Sequence, residues 1–389
     1  MGFDLEEVGA ALLEGWSDEG AWRVLLPWPE EVRELAWSDA PTWKRELDLL
    51  EASIAVRDAP FFDDCWVGFI TYEAMATEED AAPRDENPPE PAMFFARHRK
   101  GIVIDPRGEV SVAFDGTSEI RDSLGGGAYA RTVERIRDAI RDGDVYQVNL
   151  TRAFSTARRG DAQELYLALT GSLPPRMSAL IRGPRCVIAS ASPEVLLKLD
   201  RVSGVAETRP IKGTIRREGD DAREIATLLG SEKDAAEHLM IVDVSRNDLG
   251  KIAPPGEVRV TDYRRVRTLE HVHHLESTIE ATGLRDRRLS EIVGALSPAA
   301  SITGAPKRAA VQLIREIEPV PRGVYCGSIG FIGPRFVELS VAIRTAVLTE
   351  NEMRYHAGGG IVWDSRADDE DDETRAKSAA FLRYAGVRP

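Results

Sequence analysis

The sequence predicts an α+β protein built mainly on antiparallel sheet. Apolar segments of strand length follow one another directly over 186–199 and 327–361, with only a bend between them. Helix-period segments fall between groups of strands and do not alternate with single strands. The 389 residues suffice for one large core or two intimate ones.

In chain order, residues 76–91 are polar and proline-rich and read as a surface loop. Gly125, Gly126 and Gly127 mark a second break, giving an N-terminal region over 1–124 and a second region over 125–386. Tyr129, Val133, Ile136 and Ile140 recur at helical spacing, and Gly143 stops that helix. Residues 144–154 read as a strand, and 186–199 as two strands around a bend at Ser192 and Pro193. Helices follow over 222–229 and 232–249, the second with Ser231 as N-cap. Strands are expected at 258–263 and 272–279. Pro306 suits the first position of a helix reaching Ile317. Strands at 327–332, 336–348 and 353–361 precede a last helix over 370–384.

Composition narrows the function. Hydrophobic residues make up 43% and charged residues 30%, as in soluble globular proteins. No apolar run is long enough to cross a bilayer. The acidic start, without a basic stretch before an apolar one, argues against a signal peptide. Cys65, Cys186 and Cys326 are sparse and unpaired in sequence, which suits a reducing cytoplasm. The net charge of −15 argues against nucleic acid and anionic membrane as partners. An anionic ligand would need local cations or a metal.

Several groups can do chemistry. Asp234 and Glu237 share a helix face, as do Glu370 and Glu373. Two such helices could hold Mg²⁺, which prefers oxygen ligands; the acidic run at 367–373 reads equally as a solvated face. Lys212, between Pro210 and Gly213, is a nucleophile if neutral, a form that nearby Arg209, Arg216 or Arg217 would favour; otherwise it is a surface lysine. Glu194 follows the 192–193 bend among apolar strands. It is a general acid if buried and an ordinary turn residue if not. His271 and His273 fall on one strand face and suggest zinc, without a third ligand identifiable by spacing. Residues 303–306 before a helix and Gly358, Gly359 and Gly360 after a strand offer backbone N–H groups to anions, or are ordinary turns.

Together these segments resemble a known family. The strings are DVYQVNL at 144–150, SASPE at 190–194, RPIKGT at 209–214 and AEHLMIVDVSRND at 236–248. They continue with SITGAPK at 301–307, CGSIG at 326–330, IRT at 343–345, AGGGI at 357–361 and DSRADDEDDET at 364–374, with Lys377 beyond. In this order, over about 125–384, they resemble the chorismate-utilising enzymes: anthranilate, aminodeoxychorismate, isochorismate and salicylate synthases. The resemblance implies an α/β sandwich of two large antiparallel sheets with outer helices. It makes 125–386 the chorismate-binding domain and 1–124 the family's N-terminal region. It places Mg²⁺ on Glu237 and Glu373, with Asp234 and Glu370 beside them. It puts Gln147, Thr214, His274, Thr303, Tyr325, Arg344, Gly358, Gly359, Gly360 and Lys377 around the substrate, and makes Glu194 the acid at the C4 hydroxyl.

Two positions choose a branch. Gln147 stands where isochorismate and salicylate synthases carry a water-activating lysine, so amination is favoured over hydration. Lys212 stands where anthranilate synthases usually have a small residue, and a lysine there marks aminodeoxychorismate synthases, on the route to p-aminobenzoate and folate. Lys212 would attack C2 of chorismate, and ammonia would then attack C4 while Lys212 leaves C2. No cysteine sits in a glycine-flanked elbow, so ammonia is expected from a separate glutaminase subunit. At the N-terminus, LLEG at 12–15 resembles a motif of the tryptophan site of anthranilate synthases, but Gly15 replaces its serine, which favours a structural role. The alternatives are an anthranilate synthase, which would release fluorescent anthranilate, a zinc hydrolase using His271 and His273, and a non-catalytic regulatory subunit.

Overall fold

A computed structural model describes residues 5–16, 22–79, 88–105, 119–269 and 272–387. Two antiparallel sheets, each of ten described strands, form a sandwich. The first runs in the order Gly304–Ala305, Gln147–Ala157, Glu352–Ile361, Thr345–Leu348, Val187–Ala191, Ser178–Arg182, Ala11–Trp16, Trp22–Leu26, Ile102–Val103, and Arg121–Asp122 also pairs with Gln147–Ala157. The second runs Ile211–Arg216, Val272–Ala281, Val205–Arg209, Val195–Asp200, Phe336–Val341, Ser328–Ile332, Cys65–Ile70, Met93–His98, Glu31–Leu35, with Val258–Thr268 pairing to Val272–Ala281. Strands from before residue 104 thus enter both sheets.

Strands covered on both faces lose polar alternation, and Cys65–Ile70, Val187–Ala191 and Ser328–Ile332 are buried throughout. Between the sheets lie Trp16, Phe69, Phe94, Ile181, Ile188 and Phe331. Helices Ala162–Thr170 and Ala367–Tyr384 cover the first sheet through Leu165, Tyr166 and Phe381. Helices Trp43–Ala52, Glu232–Gly250 and Leu289–Leu296 pack into the largest apolar cluster, with the second sheet. The three cysteines are buried and free. Among the described residues no helix is long and apolar enough to cross a membrane.

The expected elements are present, but the strand expected over 258–263 runs to Thr268 and the last helix begins at Ala367 rather than Glu370, and three further differences bear on the site. The strand expected from Asp144 begins at Gln147. Pro306 is the N-cap of helix Lys307–Ile317, one place before the position expected. The strand expected over 336–348 is two strands, Phe336–Val341 in the second sheet and Thr345–Leu348 in the first. The chain changes sheets over residues 342–344, and it makes the opposite change over 192–194. The two crossings are tied together: Ala191 N–H donates to Arg344 O at 3.0 Å and Val341 N–H to Glu194 O at 3.0 Å. The Ser192 hydroxyl donates to Val341 O at 2.6 Å. This seam carries Glu194 and Arg344 together.

A second device fixes the strand bearing Gln147. Arg322 is 1% exposed. Its guanidinium donates to Glu318, to Ile302 O at 2.7 Å and to Asn149 O at 2.8 Å. Glu318 accepts in turn from Thr151 N–H at 2.8 Å. The pair clamps Gln147–Ala157 to the turn holding Thr303. Removing one member of a buried pair leaves the other charged and uncompensated. Glu318→Ala is expected to lower unfolding stability by about 3 kcal/mol in denaturant titrations.

Candidate active site

Lys212 is aimed by a β-bulge. Ile211 pairs with Glu276 and Thr214 with His274, so Lys212 and Gly213 together face Leu275 alone. Gly213 takes φ 96°, which glycine accepts without strain. A Cβ there would lie 3.1 Å from Leu275 Cδ1 and 3.4 Å from Asp234 Cβ, so the bulge sits against the start of helix Glu232–Gly250. His238 of that helix bridges Lys212 O at 2.8 Å and the Ser277 hydroxyl at 2.7 Å. A lone mid-helix histidine gave no warning of this role.

The Lys212 amine lies 2.7 Å from Glu237 Oε2. Two of the three arginines expected around it are engaged elsewhere, Arg209 with Glu207 and Arg217 with Asp221. Gly360 makes room for the amine: a Cβ there would stand 2.7 Å from Lys212 Nζ and 2.6 Å from Gln147 Nε2. Gln147 is fully buried, and neither of its amide atoms has a hydrogen-bond partner.

On the opposite face of the same strand, a Cβ at Gly359 would stand 2.8 Å from Glu370 Oε2 and 4.0 Å from Glu373 Oε1. Lys377 Nζ meets Glu373 Oε1 at 2.6 Å and donates to Gly358 O at 2.9 Å. Burial raises the pKa of Glu370 against the Ser365 hydroxyl bonded to it, and Glu373's charge adds to the rise. Burial also pushes Glu373 upward, but Lys377 and then Lys212 outweigh it and hold that carboxyl below its usual value. Tyr129, another group the sequence reading missed, buries an unpaired hydroxyl near Gly359.

Glu194 is 3% exposed. Desolvation raises its pKa to about 7, against the Ser301 hydroxyl at 2.5 Å, the Ile211 N–H and the charge of Lys212. Thr214, His274 and Arg344 form a third group. The Arg344 guanidinium can only donate, so His274 Nε2 accepts from it at 3.4 Å. His274 Nδ1 then carries the proton and donates to Thr214 Oγ1 at 2.6 Å. Burial, with Arg344 and Lys377 nearby, lowers the His274 pKa to about 3 and keeps the ring neutral. Arg344 sits at φ 50°, a left-handed conformation uncommon for a non-glycine residue, at the sheet crossing.

Lys212 links these groups, because its charge acts on Glu194, Glu370 and Glu373 alike. Two predicted residues have their contacts elsewhere. The Thr303 hydroxyl donates to Ala299 O at 2.8 Å within its own turn. Tyr325 stacks on His356, with centroids 5.3 Å apart. His271 lies outside the described residues. His273 meets two carboxylates that with it could hold a metal ion: its Nε2 lies 3.3 Å from Glu224 and 3.4 Å from Asp221, and its Nδ1 2.9 Å from the Thr268 hydroxyl. Glu224 and Asp221 have further partners in the N–H groups of Glu218 and Asp220 and in Arg217, so the cluster is internally satisfied.

The residues present suit a hard divalent cation. Glu237 Oε1 and Glu370 Oε2 are buried oxygens without hydrogen-bond partners, and Gly359 leaves the space beside Glu370 clear. Oxygen donors of this kind match Mg²⁺.

A family model described as chorismate binding enzyme matches residues 30–383. The chain is 34% identical over 356 residues to anthranilate synthase component 1 of Saccharolobus solfataricus, covering 86% of this chain and 84% of that one. It is 39% identical over 277 residues to aminodeoxychorismate synthase component 1 of Klebsiella aerogenes, covering 70% of this chain and 61% of that one, less than two thirds of its length. The crystal structure of anthranilate synthase component I from Streptococcus pneumoniae TIGR4 matches with a TM-score of 0.79 at 26% identity, over 93% of this chain and 92% of that one.

Proposed function

Because the chain belongs to the family of chorismate-binding enzymes, we propose that it aminates chorismate to 4-amino-4-deoxychorismate, as the chorismate-handling component of an aminodeoxychorismate synthase. Relatives of both aminating activities match at similar identity, so the choice rests on the site. The observation that carries it is Lys212, delivered by a bulge to the space over Gly360, beside an amide side chain that cannot activate water.

Lys212 leaves its ion pair with Glu237, loses its proton to solvent, and as the neutral amine adds to C2 of the substrate ring. Glu194 donates its proton to the C4 hydroxyl, which departs as water. Gln147, lacking a basic atom, leaves ammonia as the nucleophile at C4. Thr214 is held as an acceptor toward His274, so its own O–H remains available to a substrate oxygen. Arg344 and Lys377 supply positive charge for the substrate's carboxylates. Glu237 and Glu373, with Asp234 and Glu370 alongside, would hold Mg²⁺, which when bound would anchor the ring carboxylate electrostatically. Relatives named component 1 support a separate ammonia-supplying subunit, here a glutaminase, in a cytoplasmic route to p-aminobenzoate.

The second reading is anthranilate synthase component I, favoured by the Streptococcus match. Chorismate, Mg²⁺ and ammonium at raised pH separate the two: the expected product keeps its enolpyruvyl group, and no pyruvate or anthranilate fluorescence appears. Glutamine alone is expected to support no turnover. Anthranilate from the ammonium reaction would overturn the proposal.

A further inference from the structure

The amination proposed above consists of two displacements that mirror each other, and the present inference rests on that reading. In the first, neutral Lys212 Nζ bonds C2, the ring double bonds shift, and the C4–O bond breaks. The proton of Glu194 leaves with the hydroxyl as water, and the adduct nitrogen carries the positive charge. In the second, ammonia bonds C4, the double bonds shift back, and the C2–N bond breaks to release a neutral lysine. The surplus proton on the new amine passes to the Glu194 carboxylate and restores the acid. The second step is the first run backwards with ammonia in place of water. One arrangement of groups therefore serves both, and ammonia must enter where water leaves, beside Glu194.

The structure holds a cavity there. It measures about 10 Å³, the room one water-sized molecule needs. Its polar lining is Glu194, Thr208, Ser245, Asp248 and Ser301, and Pro210 bounds it two residues from Lys212. Ser245 and Asp248 lie on the helix that carries Glu237, two to three turns further along. The Ser301 hydroxyl is bonded to Glu194. Asp248 already pairs with Lys307 at 2.6 Å and with Lys251 at 2.8 Å. Its charge is therefore balanced, and it accepts hydrogen bonds from a neutral guest without trapping a cation. Carboxylate and hydroxyl acceptors around so small a space suit ammonia and exclude larger amines.

We infer that this cavity is the ammonia subsite, the place where departing water and entering ammonia exchange, with Ser245 as its specificity-determining wall. Ser245→Val fills the space, and Ser245→Ala removes one hydrogen-bonding group while keeping the helix. Steady-state kinetics with ammonium as nitrogen donor are expected to show the KM for ammonium raised at least about tenfold in S245V and about three- to tenfold in S245A, the range of one lost hydrogen bond. The KM for chorismate should stay within about twofold in both, by the same reasoning. If S245V does not fold, S245A carries the test. Should the unaltered enzyme aminate chorismate while the folded variants keep its KM for ammonium, the subsite assignment fails and the function stands. Should the unaltered enzyme give no C4-aminated product, the function itself fails.

Discussion

Lys212→Ala is expected to lower formation of the aminated product by about 10⁴-fold or more, the scale on which removal of a covalent nucleophile acts. Gln147, the other side chain nearest to Gly360, is neither basic nor nucleophilic and cannot replace the amine. The variant should still bind chorismate, because Arg344, Lys377 and the glycine strand are untouched. It also separates the two readings sharply. If the chain were an anthranilate synthase, alanine at 212 would restore the small residue usual in those enzymes, and anthranilate would accumulate. Under the present account neither product forms, and the absence of both in a folded, chorismate-binding variant is the expected result.

Glu194→Gln should slow the first displacement by roughly 10²–10⁴-fold, because an amide fills the same space but has no acidic proton to give. The pH dependence has a definite sign. Burial raises this carboxyl to about 7, and it acts only while protonated. With ammonia omitted, single-turnover loss of chorismate also needs Lys212 to shed its proton, so the contribution of Glu194 is read as the ratio of the unaltered enzyme's rate to that of E194Q at each pH. That ratio should be level below pH 7 and fall as pH rises through about 7. A ratio that instead rose through pH 7 would make Glu194 a base and reverse its assigned role.

How far the site could be read from sequence depends on whether its causes are local. The pairs Asp234 with Glu237 and Glu370 with Glu373 were legible because helix period alone puts them on one face. The bend at Ser192 and Pro193, the Ser231 cap and the Gly143 stop were legible for the same reason; the cap accepts from Asp234 N–H at 3.1 Å. The break at 342–344 was not. Residues 336–348 carry no turn residue such as Gly or Pro, and the chain leaves one sheet for the other where the Ala191–Arg344 and Val341–Glu194 backbone bonds tie this crossing to the one at 192–194, a tertiary cause.

The electrostatics of Lys212 were misjudged for a related reason. The partners are set by the fold: Arg209 turns to Glu207 two residues away, while the group that meets the amine is Glu237 from helix Glu232–Gly250. The bulge was half visible, in Pro210 and Gly213, but its partner Leu275 belongs to a strand some sixty residues later. The cavity beside Glu194 had no signature at all, since strand, helix and turn residues from five stretches of chain enclose it.

The central claim is tested most directly by mass spectrometry of the enzyme incubated with chorismate and Mg²⁺ but no ammonia. The account predicts an increase equal to chorismate less one water, mapped to the peptide bearing Lys212 and discharged as 4-amino-4-deoxychorismate when ammonium is added. An enzyme that makes the aminated product while Lys212 stays unmodified throughout, or that carries the label on another residue, would contradict it.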